Sequence, residues 1–560
     1  MENLNLNNRH GNILELTHQT KAVKDILATG FPHDIPGCML VAKTGSGKTY
    51  MICRLIQQLE KENWFSKRRI ESGSMTPFNV LWLTKAPAVM QTKKVANLDF
   101  GIKNIFVTNY EQLRTSFGAL FIREVVVVDD WGKERVEYRW NELFTPLLII
   151  VDECQVLKNS SSIRSKQFQG LLESFTTEKA PRILPMSATP FGRVSDAKAV
   201  ICSLRPTHRF GWQGTVEITT DHWRDFSQVI SSPSPPEAYN RAAVGRLMDK
   251  ISDRVVRVTG ERQKYHAHNK LKIMPFVCEK DRLTYQRAKE AYQAMMIRIK
   301  RMDRYEKAGL YIVQLTIYNK ACEVIKAPYF AMLAHDAILA GKAPVVGVKY
   351  KITIMLIVKC LIEKYGHKRE DIAILFGGIT PNDIEKDPRL AEGIEKYNLK
   401  PMSKERRHNE EVLPFQNDDK IACLLTLATG GSCLSLHHER AETKTRTGFF
   451  SICYSDMDIV QYMGRAHRFT SFSDTDQYII LFDNTLETSH ISPIIQRKLN
   501  SLGKVMGSTE SWTSALVEDL ETKKVIDLEE SKKNTKLLED SVQDMYVETE
   551  AIEKKEIITI

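Results

Sequence analysis

The stretch Ala42-Lys43-Thr44-Gly45-Ser46-Gly47-Lys48-Thr49 has the residue types and spacing to cradle a chain of phosphates. Gly45 and Gly47 lack a Cβ, so the backbone can curl with its N–H groups turned inward. Lys48 would then meet the β and γ phosphates of a nucleotide, and the Thr49 hydroxyl would hold Mg²⁺. The apolar run Cys38-Met39-Leu40-Val41 predicts a strand feeding this loop, and Tyr50 to Leu59 predicts the helix whose N-terminus completes the anion site.

A second reactive group follows the run Leu147-Leu148-Ile149-Ile150-Val151, the most strand-like in the chain. It ends in Asp152-Glu153-Cys154-Gln155, two adjacent carboxylates where open α/β sheets bind ligands. Asp152 would hold Mg²⁺ through water, and Glu153 would polarise the water that attacks a γ-phosphate. Another short apolar run, Ile183 to Met186, leads to Ser187-Ala188-Thr189. Its two hydroxyls, with Gln155, could sense an occupied site and relay that state. Upstream, Gln19 lies on a predicted helix from Leu16 to Val23. Its amide can pair with both the donor and the acceptor on an adenine edge. Near the other end, Gln461-Tyr462-Met463-Gly464-Arg465-Ala466-His467-Arg468 sets two arginines at i and i+3 on a predicted helix face. A guanidinium fork suits the charge that develops on a transferring phosphate.

These groups need elements to hold them. A chain of 560 residues exceeds one core, and 42% hydrophobic residues support globular packing. Further buried strands are expected at Asn79 to Thr84 and Ile102 to Thr108, with apolar runs around an irregular stretch from Phe117 to Asp130. The predicted organisation is α/β, with two parallel-sheet lobes and a helical insertion: a nucleotide-binding lobe at 1–206, basic helices at 207–345, a second lobe at 346–505 and an acidic, partly disordered tail at 506–560. Within the insertion, Ser231 to Pro236 reads as a linker, and long helices are expected from Asp281 to Arg304 and Leu310 to Ala340. The second lobe resumes at Tyr350, with strands at Ile372 to Phe376, Ile421 to Leu427 and Phe449 to Tyr454. A polar surface insertion is expected between Asp383 and Lys404.

Charge and cysteine usage narrow the function classes. The net charge is +10, and Arg241 to Lys307 alone holds 18 Lys or Arg against 8 Asp or Glu. Such a stretch is the electrostatic footprint of a phosphate-backbone binder. Glu521 to Ile560 has 7 against 11, an acidic tail open to a protein partner. The ten cysteines form no C-x-x-C pair, so reduced thiols are expected rather than zinc ribbons or disulfides. No run approaches a membrane span and the first residues lack signal-peptide character, which predicts a soluble intracellular protein.

In their order, these pieces resemble superfamily 2 helicases and translocases, specifically the SWI/SNF-like branch, from Leu16 to about Gly503. Asp152 to Asn159 is similar to that branch's acidic box with its Lys-Asn pair, and Val107-Thr108-Asn109-Tyr110-Glu111-Gln112-Leu113 to its strand ending in Tyr-Glu. Gly464 to Arg468 looks like its arginine motif, and Phe415-Gln416-Asn417-Asp418 like the element before a motif around Gly430-Gly431. Asn484 to Glu487 with Ile495 to Leu499 is like its closing helix. The resemblance implies two RecA-like lobes that clamp ATP and Mg²⁺ between Lys48 and Arg468, with Arg465 and Gln461 assisting and Gly430 and Gly431 coupling hydrolysis to movement along DNA, duplex DNA being favoured. Three departures stand out: Gln155 replaces a histidine, Cys433 and Ser435 replace a glycine and an asparagine, and Lys43 to Ser46 differs from an acidic-Met-Gly loop. A compact viral or plasmid translocase fits as well as a chromatin remodeller. The alternatives left open are a nucleic-acid binder with a decayed ATPase site and an RNA-directed helicase acting in transcription.

Overall fold

The computed structural model describes residues 6–488 apart from short stretches, of which 43–44, 189, 428–435, 453–458 and 460–462 bear on the site. It divides into two compact units. The first runs to Lys264 and also takes in Arg468, while the second begins at Tyr265.

In the first unit, helix α1 (Thr17–Gly30) precedes strand β1 (Met39–Ala42) and helix α2 (Lys48–Lys61). Strands β2 (Val80–Thr84) and β3 (Ile105–Asn109) follow. A two-stranded antiparallel hairpin, β4 (Ile122–Val128) with β5 (Glu134–Trp140), stands outside the main sheet. Next come β6 (Leu148–Asp152) and β7 (Arg182–Ser187), and the last sheet strand is β8 (Val255–Val258). The six strands of the main sheet lie in the order β8-β1-β7-β6-β2-β3, and every pairing is parallel. Parallel sheets are covered on both faces, which is why the strands read as unbroken apolar runs. The alternation shows it: Leu148 and Ile150 join the core on one face, and Ile149 and Val151 the core on the other.

The second unit repeats the plan. It holds β9 (Ala267–Met274), helices α3 (Glu279–Lys300) and α4 (Arg304–Leu339), β10 (Ala343–Val348) and helix α5 (Lys351–Lys359). Then come β11 (Ile372–Leu375), β12 (Ala422–Thr426), β13 (Arg446–Ser451) and β14 (Thr475–Phe482). Their order is β9-β14-β13-β10-β12-β11, again parallel throughout. Two RecA-like α/β lobes with inserted helices are therefore present.

The expected single insertion at 207–345 is corrected. The unit boundary falls inside it, and it contributes β8 to one sheet and β9 and β10 to the other. Strands β8 and β9 are edge strands, paired on one side only, so polar residues such as Arg257, His268 and Lys272 interrupt their apolar pattern. The basic stretch 241–307 is accordingly divided between the two units. The polar segment 383–404 contains short helices, including Pro381–Lys386 and Ala391–Lys396. The tail 506–560 and the closing-helix residues Ile495 to Leu499 lie outside the described residues. Among the described residues all seven cysteines are free thiols, and no helix is long and apolar enough to cross a membrane.

Candidate active site

The phosphate loop leaves β1, whose residues are fully buried, and enters α2. Gly45 and Gly47 have φ of 82° and 84°, the left-handed region that a side chain disfavours. Gly47 is also the N-cap of α2, so the first-turn N–H groups have no capping side chain and are suited to an anion. A Cβ on Gly47 would lie 2.3 Å from Gln19 Nε2. Close packing as well as backbone conformation thus requires glycine here. Lys48 Nζ donates to the Ala42 carbonyl at 3.3 Å, which folds the lysine back across the loop. Ser46 is buried, Thr49 half-buried.

Helix α1 braces the loop from beside it. Gln19 Nε2 donates to the Ser46 carbonyl at 3.2 Å, and His18 Nε2 lies at the same distance from that oxygen. Gln19 is buried, yet its Oε1 has no hydrogen-bond partner. Buried acceptors are nearly always satisfied, so an unused one beside a phosphate loop fits the amino group of a purine. The glycine cradle and this acceptor both fit a nucleotide.

The acidic pair sits at the carboxyl end of β6. Asp152 is buried, and Thr84, the last residue of β2, donates to its Oδ2 at 2.9 Å. Burial and the charge of Glu153 push the Asp152 carboxyl up to about 6, while Lys48 pulls the other way. A buried carboxylate in this state favours a cation, which fits the expected Mg²⁺. Glu153 has φ 56° and ψ 49°, left-handed for a residue with a Cβ, at a cost of about 1 kcal/mol. Such strain persists only where neighbours hold it. Here Gln155 Nε2 donates to Glu153 Oε2 at 2.5 Å, and Ser187 Oγ donates to Gln155 Oε1 at 2.6 Å. Two of the expected coupling residues, Gln155 and Ser187, therefore join Glu153 in one chain, with glutamine bridging hydroxyl and carboxylate. Ala188 is buried beside them in sequence.

In the second unit, Arg465 is buried within the helical turn 463–466, and its carbonyl accepts from Leu436 N at 3.2 Å. The expected shared helix face is corrected: His467 and Arg468 follow the end of that turn. The chain departs where His467 buries its ring, with Nδ1 at 3.1 Å from Thr475 Oγ1. Burial depresses this imidazole to about 4, so it stays neutral. Lys43, Thr44, Thr189, Gly430, Gly431 and Gln461 lie outside the described residues. Sequence reasoning missed His18 and Thr84. Thr84 was open to discovery, since it ends the strand next to β6 and so must stand beside Asp152.

Residues 13–192 match the sequence model of a family described as type III restriction enzyme, res subunit. That segment spans α1 through β7, and with them the phosphate loop and the acidic pair. Among solved structures, the DUF1998 helicase MrfA bound to DNA is similar at 12% identity and a TM-score of 0.41. The match covers 85% of this chain and 49% of that one, so the chain spans about half of that protein's length. The Sulfolobus solfataricus SWI2/SNF2 ATPase core in complex with dsDNA is 13% identical, with a TM-score of 0.33 and coverage of 94% and 99%. S. cerevisiae Dbp5 bound to RNA and ADP BeF3 is 10% identical, with a TM-score of 0.38 and coverage of 92% and 95%. At TM-scores under 0.5 these likenesses carry no functional weight. No curated protein matches the sequence.

Proposed function

We propose that this chain is a helicase-type enzyme of superfamily 2, a nucleic-acid-stimulated ATPase that moves along duplex DNA in the manner of the SWI/SNF-like branch. The observation that carries the proposal is the convergence at one end of the first sheet: a glycine-lined phosphate loop, and an acidic pair on the strand end of the same sheet.

In this reading Lys48 and the loop N–H groups of residues 42–49 bind the β and γ phosphates. Gln19 orients the base through the acceptor that Oε1 leaves unused. Thr49 and Asp152 would hold Mg²⁺, which when bound neutralises phosphate charge. Glu153 accepts a proton from the attacking water, and Gln155 fixes which oxygen faces it. Ser187, Ala188 and Thr189, with Gly430 and Gly431, are assigned to coupling. Arg468, helped by Arg465 and Gln461, is assigned to the transition-state charge.

The test is steady-state phosphate release at fixed salt with blunt duplex DNA, single-stranded DNA or RNA, because backbone affinity falls steeply with ionic strength. Duplex DNA should stimulate most. Stronger stimulation by single-stranded RNA would overturn the choice of track, and no release under any condition would overturn the activity.

A further inference from the structure

Tyr110 stands at the start of the turn Tyr110–Arg114, just after β3, and is 2% exposed. Its hydroxyl donates to the backbone carbonyl of Asp152 at 2.6 Å. Strand β3 is not adjacent to β6, because β2 lies between them. The phenol therefore reaches past the end of one strand to hold the end of the next. Thr84, on the intervening strand, takes the carboxylate of the same aspartate. Two neighbouring strand ends thus reach Asp152 at the end of a third, Tyr110 taking its backbone carbonyl and Thr84 its side chain.

The carbonyl oxygen of Asp152 and the N–H of Glu153 are two ends of one planar peptide unit. Holding that oxygen fixes the plane from which the left-handed φ of Glu153 departs. From the other side the carboxylate is held by Gln155, itself held by Ser187. We propose that Tyr110 is a positioning residue for Glu153, acting through the Asp152 carbonyl to hold the strained turn that presents the general base. This rests on the assignment of Glu153 made above.

Tyr110→Phe keeps the ring and removes only the donor. A misplacement of a reacting group by a fraction of an ångström to an ångström lowers rates steeply, so kcat for ATP at saturating duplex DNA should fall about 10- to 100-fold. KM and the affinity for a non-hydrolysable ATP analogue should hold, because the phosphate loop is untouched. Amide hydrogen exchange should quicken in the peptide covering 150–157 and stay unchanged in that covering 48–61. A merely structural hydroxyl would lower the melting temperature and leave both the kcat of folded protein and the local exchange pattern alone, which would overturn the proposal. If the wild type hydrolyses no ATP, the enzymatic reading fails by itself. The exchange comparison then decides the tether: a faster 150–157 peptide upholds it, and an unchanged one rejects it.

Discussion

In the proposed reading Lys48 and Glu153 serve different steps of the same chemistry, and their loss should be distinguishable. Lys48 closes the phosphate loop by reaching the Ala42 carbonyl, a contact that a nucleotide's phosphates would replace. Such a lysine touches ground-state phosphates, so Lys48→Ala should abolish hydrolysis and weaken ATP binding together. In the proposed reading Glu153 acts on the water, and its amide keeps the size and one acceptor that Gln155 addresses. Glu153→Gln should therefore also abolish hydrolysis while nucleotide remains bound. Equilibrium titration with a fluorescent ATP analogue separates the two, and measurable turnover by Glu153→Gln would remove the residue from its role. The Gln155 bridge gives this centre a property that a histidine would not: an amide does not titrate near neutral pH, so the link from Ser187 to Glu153 keeps the same donors and acceptors across that range.

At the scale of the element, the phosphate loop depends on helix α1 as much as on its own glycines. Gly47→Ala would place a Cβ 2.3 Å from Gln19 Nε2 and force a side-chain residue to φ 84°. The strain alone is about 1 to 2 kcal/mol, and relief requires either Gln19 or the loop to move. ATP affinity should fall at least tenfold, as measured by the same titration, while the circular-dichroism spectrum stays that of the wild type, since the change touches only the loop and one side chain. Unchanged affinity would mean that the loop is not the phosphate site. This dependence also marks what was legible beforehand. The glycines, Lys48 and the acidic pair were readable because phosphate and metal chemistry restrict residue type at fixed spacing, and the central strands β1, β2 and β6 because burial on both faces leaves them uniformly apolar. Edge strands β8 and β9 were hidden by their polar residues. Strand β10 was hidden by the apolar C-terminal half of α4 that runs almost into it. Nor could the pattern show the contacts across strand ends, Thr84 and Tyr110 to Asp152, because they join residues far apart in sequence and follow only from strand order. Strand β4 was hidden in the stretch 117–130 read as irregular: Val126 and Val128 are exposed there, and an apolar run in a sequence does not say which side faces water.

For the molecule as a whole, the proposed mechanism turns on Arg468. Its partner in sequence, Arg465, is buried in a helical turn, whereas Arg468 follows that turn and groups with the first unit. The two arginines are thus unequal, and the chemistry of the γ-phosphate is assigned to Arg468. An arginine that meets charge developed only in the transition state lowers kcat when removed, whereas one that anchors bound nucleotide raises KM. Arg468→Ala should accordingly bind ATP and DNA separately with near-normal affinity, and its DNA-stimulated turnover should drop by about 10³-fold or more. Arg468→Lys should rescue little, because an ammonium lacks the planar fork that spans two phosphate oxygens. A solvated surface arginine would behave otherwise: its removal costs within about 0.5 kcal/mol of stability and nothing in turnover. Measuring kcat and KM for ATP at saturating DNA distinguishes the cases. Wild-type kcat in Arg468→Ala would place the transition-state charge elsewhere. A raised KM at unchanged kcat would demote Arg468 to a nucleotide anchor, and only the collapse of kcat at constant KM matches the finger assigned to it.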